Sequence, residues 1–167
     1  MERKLTLTDI CGYIPHGLCK VNDLYRNKIK IVNTLNNGVN DLIYRSDLYK
    51  PILRPQSDLY RPITHKGMEV IPIWELAKIE CNEDDIKQYR LNENHLLMEF
   101  DNGEQAKFKL YCGGFLFNSI SLPNTTYPVF CQSQLFDFLH ELKVDYRGLI
   151  DAKLCISCYD LDTNPYN

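Results

Sequence analysis

Two tandem heptapeptides and the residues beside them place tyrosines and cations close together in one short stretch of the chain. The first runs from Ser46 to Ile52 as SDLYKPI, and the second runs from Ser57 to Ile63 as SDLYRPI. Arginine offers a planar fork of donors to phosphate or carboxylate groups, and tyrosine rings stack on nucleic acid bases. We assign six residues to this candidate ligand site: Arg45, Tyr49, Lys50, Arg54, Tyr60 and Arg61.

The same segment also has a purely structural interpretation. Its leucines and isoleucines can hold a proline-rich strap over the core, while Asp47 and Asp58 neutralise the nearby cations. Three prolines lack a backbone donor, so we expect neither regular helix nor central strand over 46–63. We expect two one-turn units, each started by a Ser-Asp pair and joined by extended segments. We favour the strap. The alternative implies a nucleotide or single-stranded nucleic acid as ligand, and the small net charge disfavours a nucleic acid duplex.

The cysteines and histidines form no catalytic or metal-binding pattern. Cys155 and Cys158 form one CxxC, which is half of a zinc site, and on a strand the two thiols point to opposite faces. No phosphate-binding glycine loop and no nucleophile elbow occurs in the sequence. An enzyme with Cys131 as nucleophile and His140–Glu141 as acid–base pair stays an alternative. We predict no catalytic residue, no metal and no cofactor.

An acidic cluster lies immediately before the predicted hairpin. It consists of Glu80, Glu83, Asp84 and Asp85. Such a cluster can contact a basic partner or imitate the charge of nucleic acid, and a solvated loop is its ordinary structural explanation.

Charge is divided unevenly along the chain. The protein has 167 residues, of which 44% are hydrophobic, and this suffices for one domain with a core. The net charge of −3 combines +5 over residues 1–66 with −8 over residues 67–167. This division predicts two different faces, or two parts that neutralise each other.

The sequence contains no membrane-spanning pattern. No stretch approaches the roughly 20 apolar residues that cross a bilayer, and the first residues lack the apolar run of a signal peptide. We therefore expect a cytoplasmic protein with no membrane partner. Seven cysteines without a disulfide framework fit this compartment, and we expect most of them to be buried free thiols.

Periodicity predicts an α+β fold in a single domain, 1–167, with an antiparallel sheet and a few short helices. The clearest element is a β-hairpin near 91–111, whose strands at 91–100 and 105–111 flank an Asp-Asn-Gly turn.

The remaining elements are shorter. We predict helices over 7–14, from Pro72 and from Ser133. Further predicted elements are strands at 18–21, 28–35, 68–71 and 154–159, a turn at 36–38, a returning strand or irregular loop at 41–45, and a mobile tail at 160–167.

Two pairs of segments are notable for their order of residues and not only for their composition. One pair is Lys50–Leu59 with Val70–Leu76, and the other is Leu135–His140 with Arg147–Ala152. Together with Leu5–Leu7 and Tyr13–Leu18, they resemble short uncharacterised proteins carried by phages and prophages of gut bacteria. The resemblance implies a phage-related intracellular setting, and it brings no known activity and no site residue.

We therefore expect a non-enzymatic intracellular binding protein that acts through protein–protein contacts with a host or phage protein. One alternative is a small-ligand binder that sequesters a nucleotide or a signalling anion, and another is a virion or assembly component. Self-association is a further expectation. Its candidate contact is the apolar run Phe115–Phe117, which core burial explains better.

Overall fold

The computed structural model describes residues 3–22, 25–32, 38–122, 125–127 and 129–167. Contacts divide the chain into two compact units. The first unit combines Met1–Gln56 with Leu139–Asn167, and the second unit is Ser57–Phe138. The prediction of a single domain over 1–167 stays a prediction.

Four α-helices and eleven strands form the regular structure of the described residues. In chain order they are α1 (Leu7–Ile10), β1 (Cys19–Asn22), β2 (Tyr25–Ile31), α2 (Gly38–Tyr44), β3 (Tyr49–Leu53), β4 (Ile63–His65), β5 (Met68–Val70), α3 (Pro72–Glu80), β6 (Ile86–Asn92), β7 (His95–Phe100), β8 (Gln105–Tyr111), β9 (Gly114–Ser119), β10 (Thr126–Tyr127), α4 (Gln132–Leu142) and β11 (Ile156–Ser157). The predicted α+β fold with an antiparallel sheet is confirmed.

The first unit contains a four-stranded sheet with the order β11-β3-β1-β2. Strand β3 is an inner strand, so the prediction that 46–63 holds no central strand is wrong for Tyr49–Leu53. Pro51 pairs with β1 on one side. On the other side, β11 pairs with Ile52 and Leu53 only, so the described chain places no strand beside Pro51 there. This arrangement tolerates a residue without a backbone donor.

The two repeats share a local structure. A turn at 46–48 leads into β3, and a 3₁₀ helix over Gln56–Tyr60 leads towards β4. The predicted pair of one-turn units joined by extended chain is therefore confirmed. Their environments differ, because Asp47 is exposed whereas Asp58 is fully buried.

Helix α2 replaces the strand or loop predicted at 41–45. Leu42 is buried in the core of the first unit, and Val39 and Ile43 pack against the same core. This spacing of three and four residues places the three side chains on one helix face. The turn predicted at 36–38 and the end of the strand predicted at 28–35 lie largely outside the described residues.

The helix predicted over 7–14 is shorter than expected. Helix α1 ends at Ile10, and a separate 3₁₀ helix follows at Ile14–His16. A Cβ atom added to Gly12 would lie 2.3–2.5 Å from the ring atoms of His140. The chain at Gly12 therefore packs directly beneath this imidazole.

The tail contains an anchoring residue. The Tyr166 hydroxyl donates to the Ile52 carbonyl at 2.6 Å and accepts from the Cys19 N–H at 3.1 Å. Burial raises the pKa of Tyr166 well above its usual value. The mobility predicted for 160–167 stays a prediction, but Tyr166 ties this segment to β3 and β1.

The second unit contains a five-stranded antiparallel sheet with the order β10-β9-β8-β7-β6, and a separate pair, β4-β5. The predicted hairpin is confirmed as β7 and β8, and Gly103 in its turn has a φ of 81° that suits glycine. The strand predicted over 91–100 is wrong in one respect. The chain reverses at Glu93–Asn94, so Leu91 belongs to β6.

Helix α3 packs against β7 and β8 through buried Ile73, Leu76 and Ala77. Helix α4 begins one residue before the predicted Ser133 and buries Leu135, Leu139 and Leu142. Within the described residues, no helix combines the length and apolar character that a membrane crossing requires.

Candidate functional site

The structure places the six predicted ligand residues in different units. Arg45, Tyr49, Lys50 and Arg54 belong to the first unit, whereas Tyr60 and Arg61 belong to the second. Ligand binding by this set therefore stays a prediction, and the contacts within each unit show what the side chains do.

Tyr49 lies close to two cations in the first unit. Lys20 Nζ lies 4.9 Å and Arg45 Cζ lies 5.2 Å from the centre of the Tyr49 ring. Asp41 forms an ion pair with Lys20 at 2.5 Å and a longer one with Arg45 at 3.8 Å. One carboxylate thus pairs with both cations around this tyrosine.

Arg54 and Lys50 tie segments of the first unit together. Arg54 is only 2% exposed, and its Nη2 donates to the Tyr166 carbonyl at 2.7 Å. Lys50 Nζ donates to the Lys153 carbonyl at 2.9 Å. These contacts fit the strap interpretation of the tandem segment.

Tyr60 and Arg61 are engaged within the second unit. The buried Asp58 carboxylate accepts from Arg61 Nε at 2.7 Å, and Arg61 Nη2 contacts the same oxygen. The Leu110 N–H donates to the Tyr60 hydroxyl at 3.3 Å, and burial raises the pKa of Tyr60.

The cysteines differ from the prediction that most are buried. Cys19, Cys155 and Cys158 are buried, Cys81 and Cys131 are half-buried, and the remaining two, Cys11 and Cys112, are exposed. Cys155 and Cys158 belong to different core clusters. The strand predicted over 154–159 is limited to Ile156–Ser157, so neither thiol lies on it. Among the described residues, no group of three His, Cys, Asp or Glu side chains is arranged to hold a metal ion.

The residues of the enzyme alternative have separate partners. His140 Nε2 lies 2.9 Å from the Tyr146 hydroxyl, and its ring packs against Tyr13 edge to face at 4.7 Å. Cys131 donates its backbone N–H to Glu80 at 3.2 Å. Cys131 lies in the second unit and His140 in the first.

A cleft in the second unit brings acidic and aromatic side chains together. Its volume is about 600 Å³, which lies within the roughly 300–1,000 Å³ typical of ligand sites. Two segments form much of its wall: the turn before β6 and the tip of the β7–β8 hairpin. The Asp101 N–H donates to the Asp85 carbonyl at 3.1 Å, which holds these two segments side by side.

Four carboxylates line the cleft, and the described residues lining it include no lysine or arginine. They are Glu80, Asp85, Asp101 and Glu104. The Glu80 carboxylate accepts from the backbone N–H groups of Phe130 and Cys131, each at 3.2 Å. The other three form no ion pair with the described part of the chain.

Three aromatic rings contribute to the same cleft. The Phe117 ring lies between the other two, with its centre 6.0 Å from that of Phe100 and 6.1 Å from that of Tyr127. The planes are inclined by 46° and 63°, so the rings do not form a flat stack. Aromatic faces carry partial negative charge, which adds to the potential of the carboxylates.

Cys81 reports the electrostatic environment of the cleft. Burial, followed by the charges of Glu80 and Asp85, raises the pKa of the Cys81 thiol to about 11. The cleft thus disfavours an added negative charge. The second unit as a whole contains twelve Asp and Glu against seven Lys and Arg, a net charge of −5.

An exposed apolar side chain adjoins the cleft. Phe130, whose N–H donates to the Glu80 carboxylate, is 83% exposed.

Sequence reasoning identified part of this cleft. Glu80 and Asp85 belong to the predicted acidic cluster, whereas Glu83 lies 3.8 Å from Lys78 and does not line the cleft. The sequence places Asp101 in a hairpin turn and gives no signal for Glu104, so neither is predicted as a cleft residue. Phe117 belongs to the run predicted as an oligomer contact or core, and its neighbour Phe115 is buried.

No family model, curated protein or solved structure matches the chain.

Proposed function

We propose that the protein is a non-enzymatic binding protein that acts through protein–protein contacts at the acidic cleft of the second unit. The observation that carries the proposal is the cleft itself. Three of its carboxylates have no ion-pair partner in the described chain, and three aromatic rings line the same cavity.

The charge of the cleft determines the kind of partner. Unpaired carboxylates beside one another repel, and an opposite charge brought within a few ångströms relieves this repulsion. A complementary surface presents positive charge, which accelerates encounter and excludes negatively charged partners. The exposed Phe130 offers such a partner an apolar contact at the border of the site.

The setting of this binding is part of the proposal. A cytoplasmic site of action rests on the sequence, and a host or phage protein as partner rests on the sequence resemblance. The virion or assembly alternative also rests on the resemblance, self-association rests on the apolar run Phe115–Phe117, and no specific contact among the described residues favours either.

The nucleotide alternative has less support. It requires Arg54 and Arg61 to meet an anion, yet Arg54 donates to Tyr166 and Arg61 pairs with buried Asp58. The cleft repels the phosphate groups that a nucleotide carries.

A comparison of charge-matched variants tests the proposal. Wild-type protein, the cleft variant Asp101→Asn/Glu104→Gln and the control Asp137→Asn/Glu93→Gln are used to capture proteins from a host lysate, with quantitative mass spectrometry. We expect a protein that wild type and control retain and the cleft variant loses. Equal capture by all three would remove the cleft as the contact site.

A further inference from the structure

The arrangement of charges and rings distinguishes between the two cationic side chains that a partner can offer. We infer that the cleft binds arginine side chains of a partner protein in preference to lysine side chains. This inference rests on the proposed function and specifies its ligand.

The first argument is that three acidic residues and an aromatic residue line the same cleft. Asp101 and Glu104 flank the hairpin turn that follows Phe100, whose N–H donates to the Glu104 carbonyl at 2.9 Å. Asp85 is joined to Asp101 through its own carbonyl. These backbone bonds hold the three acidic residues next to Phe100, and all four residues line the same cleft, where a planar group with several donors can meet more than one acceptor.

The second argument is the chemistry of the guanidinium group. Its plane stacks on an aromatic face while its edge donates two parallel hydrogen bonds to a carboxylate. The lysine ammonium is compact and strongly hydrated, so it pairs with one carboxylate as a point charge and loses more hydration energy next to a ring. A cleft with inclined rings and several acceptors therefore favours arginine.

The third argument is capacity. A volume of about 600 Å³ exceeds one side chain, and three carboxylates lack an ion pair in the described chain. Two arginines on an extended segment neutralise two of these three charges and leave room for the intervening backbone. A single small cation would leave repulsion between the remaining carboxylates.

The test uses three acetylated and amidated heptapeptides that carry two arginines, two lysines or two citrullines at matched positions. Their affinity for the full chain is measured by calorimetry at about 150 mM salt, where long-range attraction is screened. We expect the arginine peptide to have a Kd about five-fold lower than the lysine peptide, and the neutral citrulline peptide not to bind.

Variants separate the contributions of charge and ring. Asp101→Asn/Glu104→Gln should weaken both cationic peptides, and the control Asp137→Asn/Glu93→Gln should leave them unchanged. Tyr127→Leu removes a ring at a surface position, so it should lower the preference for arginine and leave lysine binding nearly constant.

The outcomes distinguish this inference from the proposed function. Equal or tighter binding of the lysine peptide, with unchanged dependence on Asp101 and Glu104, overturns the arginine preference and leaves the cleft as a contact site. If no peptide binds, or if binding is the same in the cleft variant, the arginine inference is overturned. The cleft itself is then judged by the lysate comparison.

Discussion

The backbone N–H of Asp101 donates to the carbonyl of Asp85 at 3.1 Å, and this bond holds two acidic turns next to each other. The two residues are far apart in sequence, and the pairing of Ile86 with Phe100 brings their segments together. Because neither carboxylate has an ion-pair partner among the described residues, the fold maintains a negative cleft.

Cys81 should react slowly with an alkylating reagent. The raised pKa of its thiol, about 11, leaves little thiolate at about pH 8, so we expect alkylation at least about tenfold slower than at exposed Cys112. Site-resolved mass spectrometry gives both rates in one sample.

Asp85→Asn removes a charge that raises the Cys81 pKa and should accelerate alkylation of Cys81. Asp84→Asn, at an exposed position that does not line the cleft, serves as the control. Cys81 labelling that is no faster in Asp85→Asn than in Asp84→Asn would mean that the cleft lacks the negative potential assigned to it.

Gly12→Ala should destabilise the first unit by about 1–3 kcal/mol, because the added Cβ collides with the His140 ring and the neighbourhood must shift. Gly114→Ala is the control, since an added Cβ there meets nothing within 4 Å. Urea denaturation measures both free energies of unfolding. An unchanged midpoint for Gly12→Ala would show that the imidazole does not pack on this backbone.

Part of the fold could be predicted from local signals in the sequence. Helix periodicity, the Asp-Asn-Gly hairpin turn and the Ser-Asp turns are local signals. The structure confirms the hairpin turn at β7–β8 and the Ser-Asp turns in the two repeats. The position of β3 is not local, because pairing with β1 and β11 overrides the tendency of Pro51 to interrupt a sheet.

The cleft could be predicted from the sequence only in part. The acidic residues before β6 form a run that is visible in the sequence, but Asp101 and Glu104 act through the register of β6 against β7. Phe100 and Phe117 have the alternation expected of strand residues. Their exposure at one end of the sheet depends on tertiary structure, which single-sequence patterns do not contain.

Tyr166→Phe should lower the free energy of unfolding by about 1–3 kcal/mol. The change removes the buried hydroxyl that donates to the Ile52 carbonyl and accepts from the Cys19 N–H. Tyr44→Phe removes a hydroxyl from a side chain whose residue is 81% exposed and should change stability little. Equal stability of the two variants would contradict an anchoring role for Tyr166.

Asp9 should make stability depend on pH. Burial raises the pKa of this carboxyl, but hydrogen bonds from Thr6 and Arg3 outweigh burial and the pKa falls below 3.8. A carboxyl with a lowered folded pKa stabilises the protein above its unfolded pKa, and this stabilisation disappears as pH falls through the folded pKa.

We therefore expect Asp9→Asn to cost about 1 kcal/mol near neutral pH, as loss of a helix cap does. The difference from wild type should shrink on acidification below pH 3.8. Asp151→Asn, at an exposed position, is the reference, and denaturation curves across the pH range provide the measurement. A difference that persists at the acidic end would exclude ionised Asp9 as its source.

Mapping by nuclear magnetic resonance tests the central claim most directly, because it locates binding on the full chain without assuming an affinity. The two-arginine heptapeptide is added to isotope-labelled protein at about 150 mM salt. We predict that the largest shifts cluster at Phe100, Asp101, Phe117 and Tyr127, and that Asp101→Asn/Glu104→Gln abolishes them. Saturable shifts centred elsewhere on the protein, or no shifts at all, would contradict a cationic binding site in the acidic cleft.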